Sequence, residues 1–297
     1  MNKNSLPETK LLHIPVMIQE VMDFLITNRD GIYLDGTVGL GGHAAQILNA
    51  LSDSGRLIGL DRDEKALAIC KERLSDSRAF SCLHSSYELF PNILQDEGIS
   101  TVNGILLDLG LSSFQLDSPS RGFGFKSNGS LDMRFNSSDG QTVAQFISSK
   151  TENELADVLY NFGEERLSRR IARAIKNMDS MSAVSDLKEA VRRSTHPNRR
   201  RNSLARVFQA LRIAVNDELT RLQKLLDCFA EYLAPKGRIV ILSYHSLEDR
   251  IVKHSFKDLS NKNLVSILTK KPLRPTKNEQ TENSRARSAK LRAAERI

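Results

Sequence analysis

The chain has 297 residues, no tryptophan, only three cysteines and no unbroken apolar run of 18 residues. The last absence excludes a bilayer-crossing helix by hydropathy, and the polar opening MNKNSLPETK is not followed by the apolar core of an export signal. A soluble cytoplasmic protein with no membrane partner is expected. Cys70, Cys82 and Cys228 form no C-x-x-C pair and leave one thiol over. That pattern argues against a disulfide framework or a metal site and for buried thiols in a reducing compartment. The length allows one large domain or two.

Charge is present but unevenly placed. The net charge is +7. Between Arg166 and Arg206 there are twelve Lys and Arg against three Asp and Glu, and from Lys270 to Ile297 nine against three, so the remaining residues are net acidic. Two basic segments on an acidic background suit phosphate binding, although either run alone reads equally well as a solvated face or a loose tail.

The stretch Ile32–Asp63, IYLDGTVGLGGHAAQILNALSDSGRLIGLDRD, organises the rest. IYL is a short strand, and Gly36, Gly39, Gly41 and Gly42 form a turn in which backbone lies open to a ligand. Ala44, Ile47, Leu48 and Leu51 then repeat at one face of a helix, and RLIGL is a second strand ending in Asp61. Gly39, Gly41 and Ala44 also fit the dinucleotide fingerprint G-x-G-x-x-G/A, with Asp61 about 20 residues on to hold a ribose hydroxyl. A nucleotide-dependent oxidoreductase is therefore one reading. Asp35 favours another, because a carboxylate at the mouth of the turn repels a pyrophosphate and attracts the ammonium or sulfonium of S-adenosylmethionine. Stabilising its own turn is the plainer role for Asp35.

Upstream, Val16, Val21 and Leu25 predict a short helix packed on the first strand, with Pro15 near its first turn. His13 reads better as a local hydrogen-bonding residue than as a functional imidazole. Downstream, Glu64–Leu74 predicts a helix, FSCL a strand, Tyr87–Leu94 a helix and GILLDLG a fourth strand ending in Asp108. Strands spaced by single helices give a mostly parallel sheet. Its strand ends would then bring Asp35, Asp61 and Asp108 to one crevice, unless Asp108 merely caps the turn formed with Gly110, Ser112 and Ser113.

The alternation stops at Gln115. A loop and four helical stretches, TVAQFISS, ENELADVLYNFG, ERLSRRIARAIKNM and SDLKEAVRRS, predict an all-helical insertion over 116–205. The α/β segments then flank it at 1–115 and 206–297. Within the loop, Arg121–Phe125 copies the start of the RNA-recognition octamer, but Lys126 and Asn128 break the pattern, so that fold is not expected. Phe123 and Phe125 either meet nucleic acid or anchor the loop. From Ala205 one long helix is expected, with Phe208, Leu211, Val215, Leu222, Leu226 and Phe229 on one face and Pro235 and Gly237 ending it. RIVILS is a fifth strand running into His245, a catalytic candidate, and Ser246-x-x-Asp249 reads as a capping box. LVSILT and AKLRAAERI are further strands, joined by a basic loop.

Together DGTVGLGGH (Asp35–His43), LDRD (Leu60–Asp63), GILLDLGLSSFQLD (Gly104–Asp117), RGFGF with GSLDMR, GEERLSRRIARAI (Gly163–Ile175), RVFQALRIAVNDEL (Arg206–Leu219), SYHSLEDR (Ser243–Arg250) and RARSAKLRAAER (Arg285–Arg296) resemble the bacterial 16S rRNA cytosine-N4 methyltransferases of the small ribosomal subunit. The resemblance runs from His13 to Arg296. It implies a Rossmann-like class I methyltransferase domain interrupted after its fourth strand by a helical substrate-binding domain. It also implies S-adenosylmethionine as cofactor, with contacts at Gly41, Gly42, His43, Asp61, Tyr87, Asp108 and Gln115. The implied substrate is 16S rRNA within the small ribosomal subunit, at the N4 amine of cytosine 1402 in standard rRNA numbering. Tyr87 departs from the Phe that members often carry. The segment HPNRRRNSLARVFQ is longer and more basic than the usual link.

Cytosine's amino lone pair is delocalised into its ring, so an acceptor on its N–H groups would help localise it. The Asn/Asp-Pro-Pro-Tyr box of many amino-methyltransferases is replaced by DLGL. Asp108 and the adjacent backbone carbonyl are the candidate acceptors, followed by Ser112, Ser113 and His245. A non-catalytic RNA-binding assembly factor is the third reading. The oligomeric state stays open, a homodimer included.

Overall fold

The computed structural model describes residues 15–125 and 128–297; His13 and Lys126 lie outside the described residues. The chain divides into two compact units, Met1–Gly110 with Leu219–Ile297, and Leu111–Glu218. Sequence reading sets the corresponding boundaries at 115/116 and 205/206.

The first unit is an α/β sheet. Its elements run α1 (Ile18–Leu25), β1 (Ile32–Asp35), α2 (Gly42–Ala50), β2 (Arg56–Asp61), α3 (Glu64–Arg73), β3 (Phe80–His84), α4 (Phe90–Asp96) and β4 (Val102–Asp108). The seven strands lie in the order β3-β2-β1-β4-β5-β7-β6, the last three being β5 (Leu233–Ser243), β6 (Val265–Ile267) and β7 (Lys290–Arg296). β3, β2, β1, β4 and β5 pair in parallel, and β7 runs antiparallel to both β5 and β6. This is the expected Rossmann-like class I arrangement. Because the strand order reverses beside β1, the switch point lies between β1 and β4, where open α/β sheets bind ligands.

Both sheet faces are covered, so strand residues alternate between two cores instead of between core and water. Leu57, Leu106, Val240 and Leu242 pack with α1, α2 and α3, whereas Ile58, Ile105, Leu107, Ile239 and Ile241 pack with α4, α11 and α12. Here α11 is Glu218–Tyr232 and α12 is Ser246–Asn261. Among the described residues no helix is long and apolar enough to cross a membrane. Cys70 and Cys82 are buried thiols, and Cys228 is half-buried.

The second unit is helical, built from α5 (Ser113–Asp117), α6 (Val143–Ser149), α7 (Glu152–Gly163), α8 (Ser168–Lys176), α9 (Val184–Ser194) and α10 (Arg200–Asn216). Thr142 and Thr151 open α6 and α7 with capping boxes closed by Gln145 and Glu154. Phe123 stacks on Phe135 with centroids 5.4 Å apart, and Phe125 meets Phe208 edge-on at 5.7 Å. Both rings pack with this unit's apolar core, as loop anchors do.

The single long helix expected from Ala205 is two helices. Asp217 takes a left-handed conformation at φ 52°, ending α10 just before α11 begins. Phe208 and Leu211 belong to the helical unit's core, and Leu222, Leu226 and Phe229 to the sheet's. The apolar stripe is continuous in sequence because two helices each bury one face. The basic loop between β6 and β7 contains α13 (Lys277–Glu282).

Candidate active site

Asp35, Asp61 and Asp108 close β1, β2 and β4, so each stands at the carboxyl edge of the parallel sheet. Parallel register places Asp35 beside Leu106 of β4 and Gly59 of β2. Asp35 is 1% exposed, and its Oδ1 accepts the Thr37 N–H at 3.0 Å. Burial, then the charges of Asp108 and Asp61, push its carboxyl up to about 7 against that hydrogen bond. Asp61 accepts Gly39 N–H at Oδ2 and Asp63 N–H at Oδ1, both at 2.8 Å. Burial raises it to about 6 although these donors oppose the shift. The turn-stabilising role weighed for Asp35 is therefore real, and both carboxylates also bear an electrostatic cost that a bound cation would relieve.

The glycine turn sits among these acids. Gly39, at φ 52°, leaves open space on its side-chain face, with only the Thr37 carbonyl and Asp61 Oδ2 near 4 Å. Gly36 has none: a Cβ there would come within 2.6 Å of Leu107 and 2.8 Å of Tyr87. The Tyr87 Cβ is thereby brought against the turn. Gly41 caps α2 at φ 80° and faces Cys70 and Leu74, and Gly42 faces Pro15. On their side-chain faces these two glycines serve close packing.

His43 joins the group from the first turn of α2. Its Nε2 lies 3.0 Å from the Val16 carbonyl, which can only accept, so this nitrogen carries a proton. Nδ1 lies 3.7 Å from Asp108 Oδ2. The Asp108 amide donates to Thr37 Oγ1 at 2.6 Å, and Oδ1 accepts from Gly110 at 3.4 Å. Thr37 thus links Asp35 to Asp108. Sequence reasoning missed it, although a hydroxyl two residues past a strand-end carboxylate is a recognisable turn signal.

Tyr244 was missed as well. It follows β5 directly, its ring meets the Asp108 Oδ1 side at Gly110, and its phenol is pushed well above the usual range by burial and then by the Asp108 charge. A polar aromatic one residue beyond the apolar run RIVILS was the available signal.

His245 proves to be the cap of α12. Its Nδ1 accepts the Glu248 N–H at 3.4 Å, while Glu248 Oε2 accepts from the Tyr244 and His245 amides at 2.8 and 3.3 Å. The box is His245-x-x-Glu248, one residue earlier than expected, because Asp249 is drawn instead to Lys290 and Arg292 at 2.9 and 2.7 Å. His245 Nε2 is 3.0 Å from Glu248 Oε1 but makes no hydrogen bond there.

Ser112 and Gln115 belong to the helical unit, where they form the capping box of α5 at 3.2 and 3.0 Å. Ser113 is the first residue of that helix.

Residues 10–297 match the MraW methylase family. Ribosomal RNA small subunit methyltransferase H of Koribacter versatilis is 44% identical over 296 residues, covering 96% of this chain and 94% of that protein. The protein of the same name from Kosmotoga olearia is 44% identical over 291 residues, covering 96% and 97%. A solved putative rRNA methylase from Clostridium thermocellum overlays at a TM-score of 0.46 with 13% identity, covering 94% of this chain and 95% of that one, a likeness too loose to bear on function.

Proposed function

The chain belongs to the MraW methylase family, and on that premise we infer that it is an S-adenosylmethionine-dependent methyltransferase of small-subunit ribosomal RNA. We propose the exocyclic N4 amine of a decoding-region cytosine as its target. The observation that carries the cofactor reading is the set of three carboxylates closing β1, β2 and β4, two of them raised by burial. Such a donor set suits a ligand with a cationic end and a ribose diol, and it opposes a pyrophosphate.

The residues fit S-adenosylmethionine. Asp61, at the end of β2, accepts from the Gly39 and Asp63 amides and is a carboxylate acceptor of the kind a ribose diol needs. Asp35 supplies negative charge at the turn, and the open face of Gly39 admits a ligand against bare backbone. His43 and Asp108 face one another at 3.7 Å and can share a donor such as an ammonium. The backbone at Gly41 and Gly42 and the side chain of Tyr87 complete the proposed cofactor wall. When bound, the cofactor supplies an electrophilic methyl group on a sulfonium that is itself the leaving group.

The protein's remaining work is alignment, exclusion of water and handling of the amine's proton. Holding two reactants in line is worth about 7–11 kcal/mol. The Asp108 carboxylate, anchored by Gly110 and Tyr244, is the proposed acceptor for the amine N–H. Ser112 is a lesser candidate since its hydroxyl already accepts the Gln115 amide. His245 is lesser too, because its ring caps α12. A stacked base must also be presented, at a cost of a few kcal/mol that phosphate contacts from the basic segments can offset.

Methyl transfer from labelled S-adenosylmethionine to small subunits lacking the modification tests the whole reading. Label on cytosine N4 is the expected result. Label elsewhere would overturn the target, and cofactor binding without transfer would leave an RNA-binding assembly factor. Tight binding of a dinucleotide in place of S-adenosylmethionine would favour the oxidoreductase.

A further inference from the structure

We propose that Tyr244 is a positioning residue for the reaction, orienting the Asp108 carboxylate from the end of β5. The inference rests on the reading of Asp108 as the acceptor for the target amine.

Three observations converge on it. First, register brings the two residues to neighbouring strand ends. Asp108 pairs with Leu242, and the Leu109 amide donates to the Leu242 carbonyl at 3.0 Å, so the chain leaving β5 passes directly over the end of β4. Second, the hydroxyl-bearing edge of the ring and Asp108 Oδ1 crowd the same point. A Cβ on Gly110 would lie 2.8 Å from Tyr244 Cε2, 2.9 Å from its Cζ and 3.3 Å from Oδ1. A glycine is needed here for space, since its backbone is not in the left-handed region. Third, Tyr244 is held at both ends. Its amide donates to Glu248 Oε2 at 2.8 Å, and its ring is packed at Gly110 against the Asp108 Oδ1 side.

The chemistry follows from these contacts. The phenol faces the carboxylates of Asp108, Glu248 and Glu279, which together with burial keep it protonated, so it can only donate to Asp108. A carboxylate with Gly110 and Tyr244 on its Oδ1 side cannot rotate freely, and its Oδ2, on the His43 side, is left to face a ligand. Without the phenol, the carboxylate would be held by the 3.4 Å Gly110 bond and the longer His43 contact. Ground-state binding would change little, whereas the alignment needed in the transition state would be lost.

The test combines kinetics with spectroscopy. Tyr244→Phe should melt like the wild type and, at saturating S-adenosylmethionine, slow single-turnover transfer about tenfold, the lower end for one positioned donor. In an Asp108→Asn background the same substitution should cost almost nothing more. Full additivity, or an unaltered rate in Tyr244→Phe, would overturn the proposal. Gly110→Ala gives a second route: its methyl would displace the ring, so it should reproduce the slow transfer, and a normal rate would count against the proposal.

The link can also be read without turnover. The chain holds five tyrosines, so a ring-labelled sample gives five signals, and the one lost in Tyr244→Phe is Tyr244. That signal should shift in Asp108→Asn. If it stays in place, the hydrogen bond is absent and the inference fails even in an active enzyme. If it shifts but the wild type methylates no rRNA, the functional reading fails while the positioning contact stands.

Discussion

The two units handle charge in opposite ways. The α/β unit withdraws its carboxylates from water at three strand ends, so that Asp35 and Asp61 titrate near 7 and 6. The helical unit leaves many cations of its basic segment in solvent. Arg169 and Arg173, both about 70% exposed, pair with Asp157 and Glu152, and Arg192 and Arg193 pull the half-buried Glu189 down to about 2. Buried like charges weaken a fold but create a site whose field is little screened by salt. Exposed arginines are nearly neutral for stability, and their action on a polyanion is strongly salt-dependent. One unit is therefore suited to chemistry on a small cation and the other to holding a phosphate backbone.

The sharpest break in that comparison would come at Asp108. Asp108→Asn keeps an oxygen for the Gly110 amide and removes the charge, so thermal melting should change little. Single-turnover methylation should fall about 10²-fold or more, the scale for losing one positioned catalytic group. Turnover near that of the wild type would reduce Asp108 to a turn residue.

Asp61 comes next. Asp61→Ala should weaken S-adenosylmethionine binding by roughly 1.5–3 kcal/mol, the range for hydrogen bonds to a charged group. Calorimetry on folded mutant decides it, and unchanged affinity would remove Asp61 from the cofactor site. The mutant also loses two backbone hydrogen bonds, at Gly39 and Asp63, so its melt must be measured alongside.

The three strand-end acids were legible in the sequence because a parallel sheet obeys simple rules. Apolar runs spaced by single helices fix where strands end, and ends of neighbouring strands meet. Contacts that cross from one element to another were not legible. Tyr244 reaches Asp108 across more than a hundred residues, and Asp249 is drawn out of the helix cap by Lys290 and Arg292 in a distant strand. The break at Asp217 was hidden because Asn216-Asp217-Glu218 contains neither glycine nor proline, and the helix stops through a left-handed aspartate. In the second basic segment, likewise, Lys290 and Arg292 pair with Asp249, whereas Lys270, Lys271, Arg274, Lys277 and Arg287 are exposed.

A pH titration tests the buried acids as a group. A cation is attracted by ionised Asp35 and Asp61, so S-adenosylmethionine affinity should plateau above pH 7 and fall as pH drops through about 7 and then about 6. Stability should run the other way. Both folded values lie above the ordinary 3.8, so the native state binds more protons than the unfolded chain in this window and loses stability as pH rises through it. Asp35→Asn should accordingly gain up to a few kcal/mol at pH 8 and almost nothing at pH 4, while binding the cofactor more weakly. Equal melts for mutant and wild type at pH 8 would show that Asp35 carries no such strain.

The smallest effect is expected in the helical unit, at Arg199, Arg200 and Arg201. Arg199 is the cap of α10, and Arg200 and Arg201 begin its first turn, where the helix dipole disfavours positive charge by about 0.3–1 kcal/mol each. Local structure therefore gains nothing from their charge. Arg199 and Arg201 are exposed, whereas Arg200 is half-buried with its Nε lacking a hydrogen bond. If the exposed pair holds rRNA phosphates, Arg199→Ala with Arg201→Ala should lower the log–log salt slope of rRNA binding by about 0.7–0.9 for each lost contact. Adding Arg200→Ala should change the slope less than either exposed substitution. Cofactor affinity should stay constant and the melting temperature should hold or rise slightly, opposite to what a structural role for these arginines requires. An unaltered slope would leave the segment as a solvated charge run and move the phosphate-binding role to the arginines of α8.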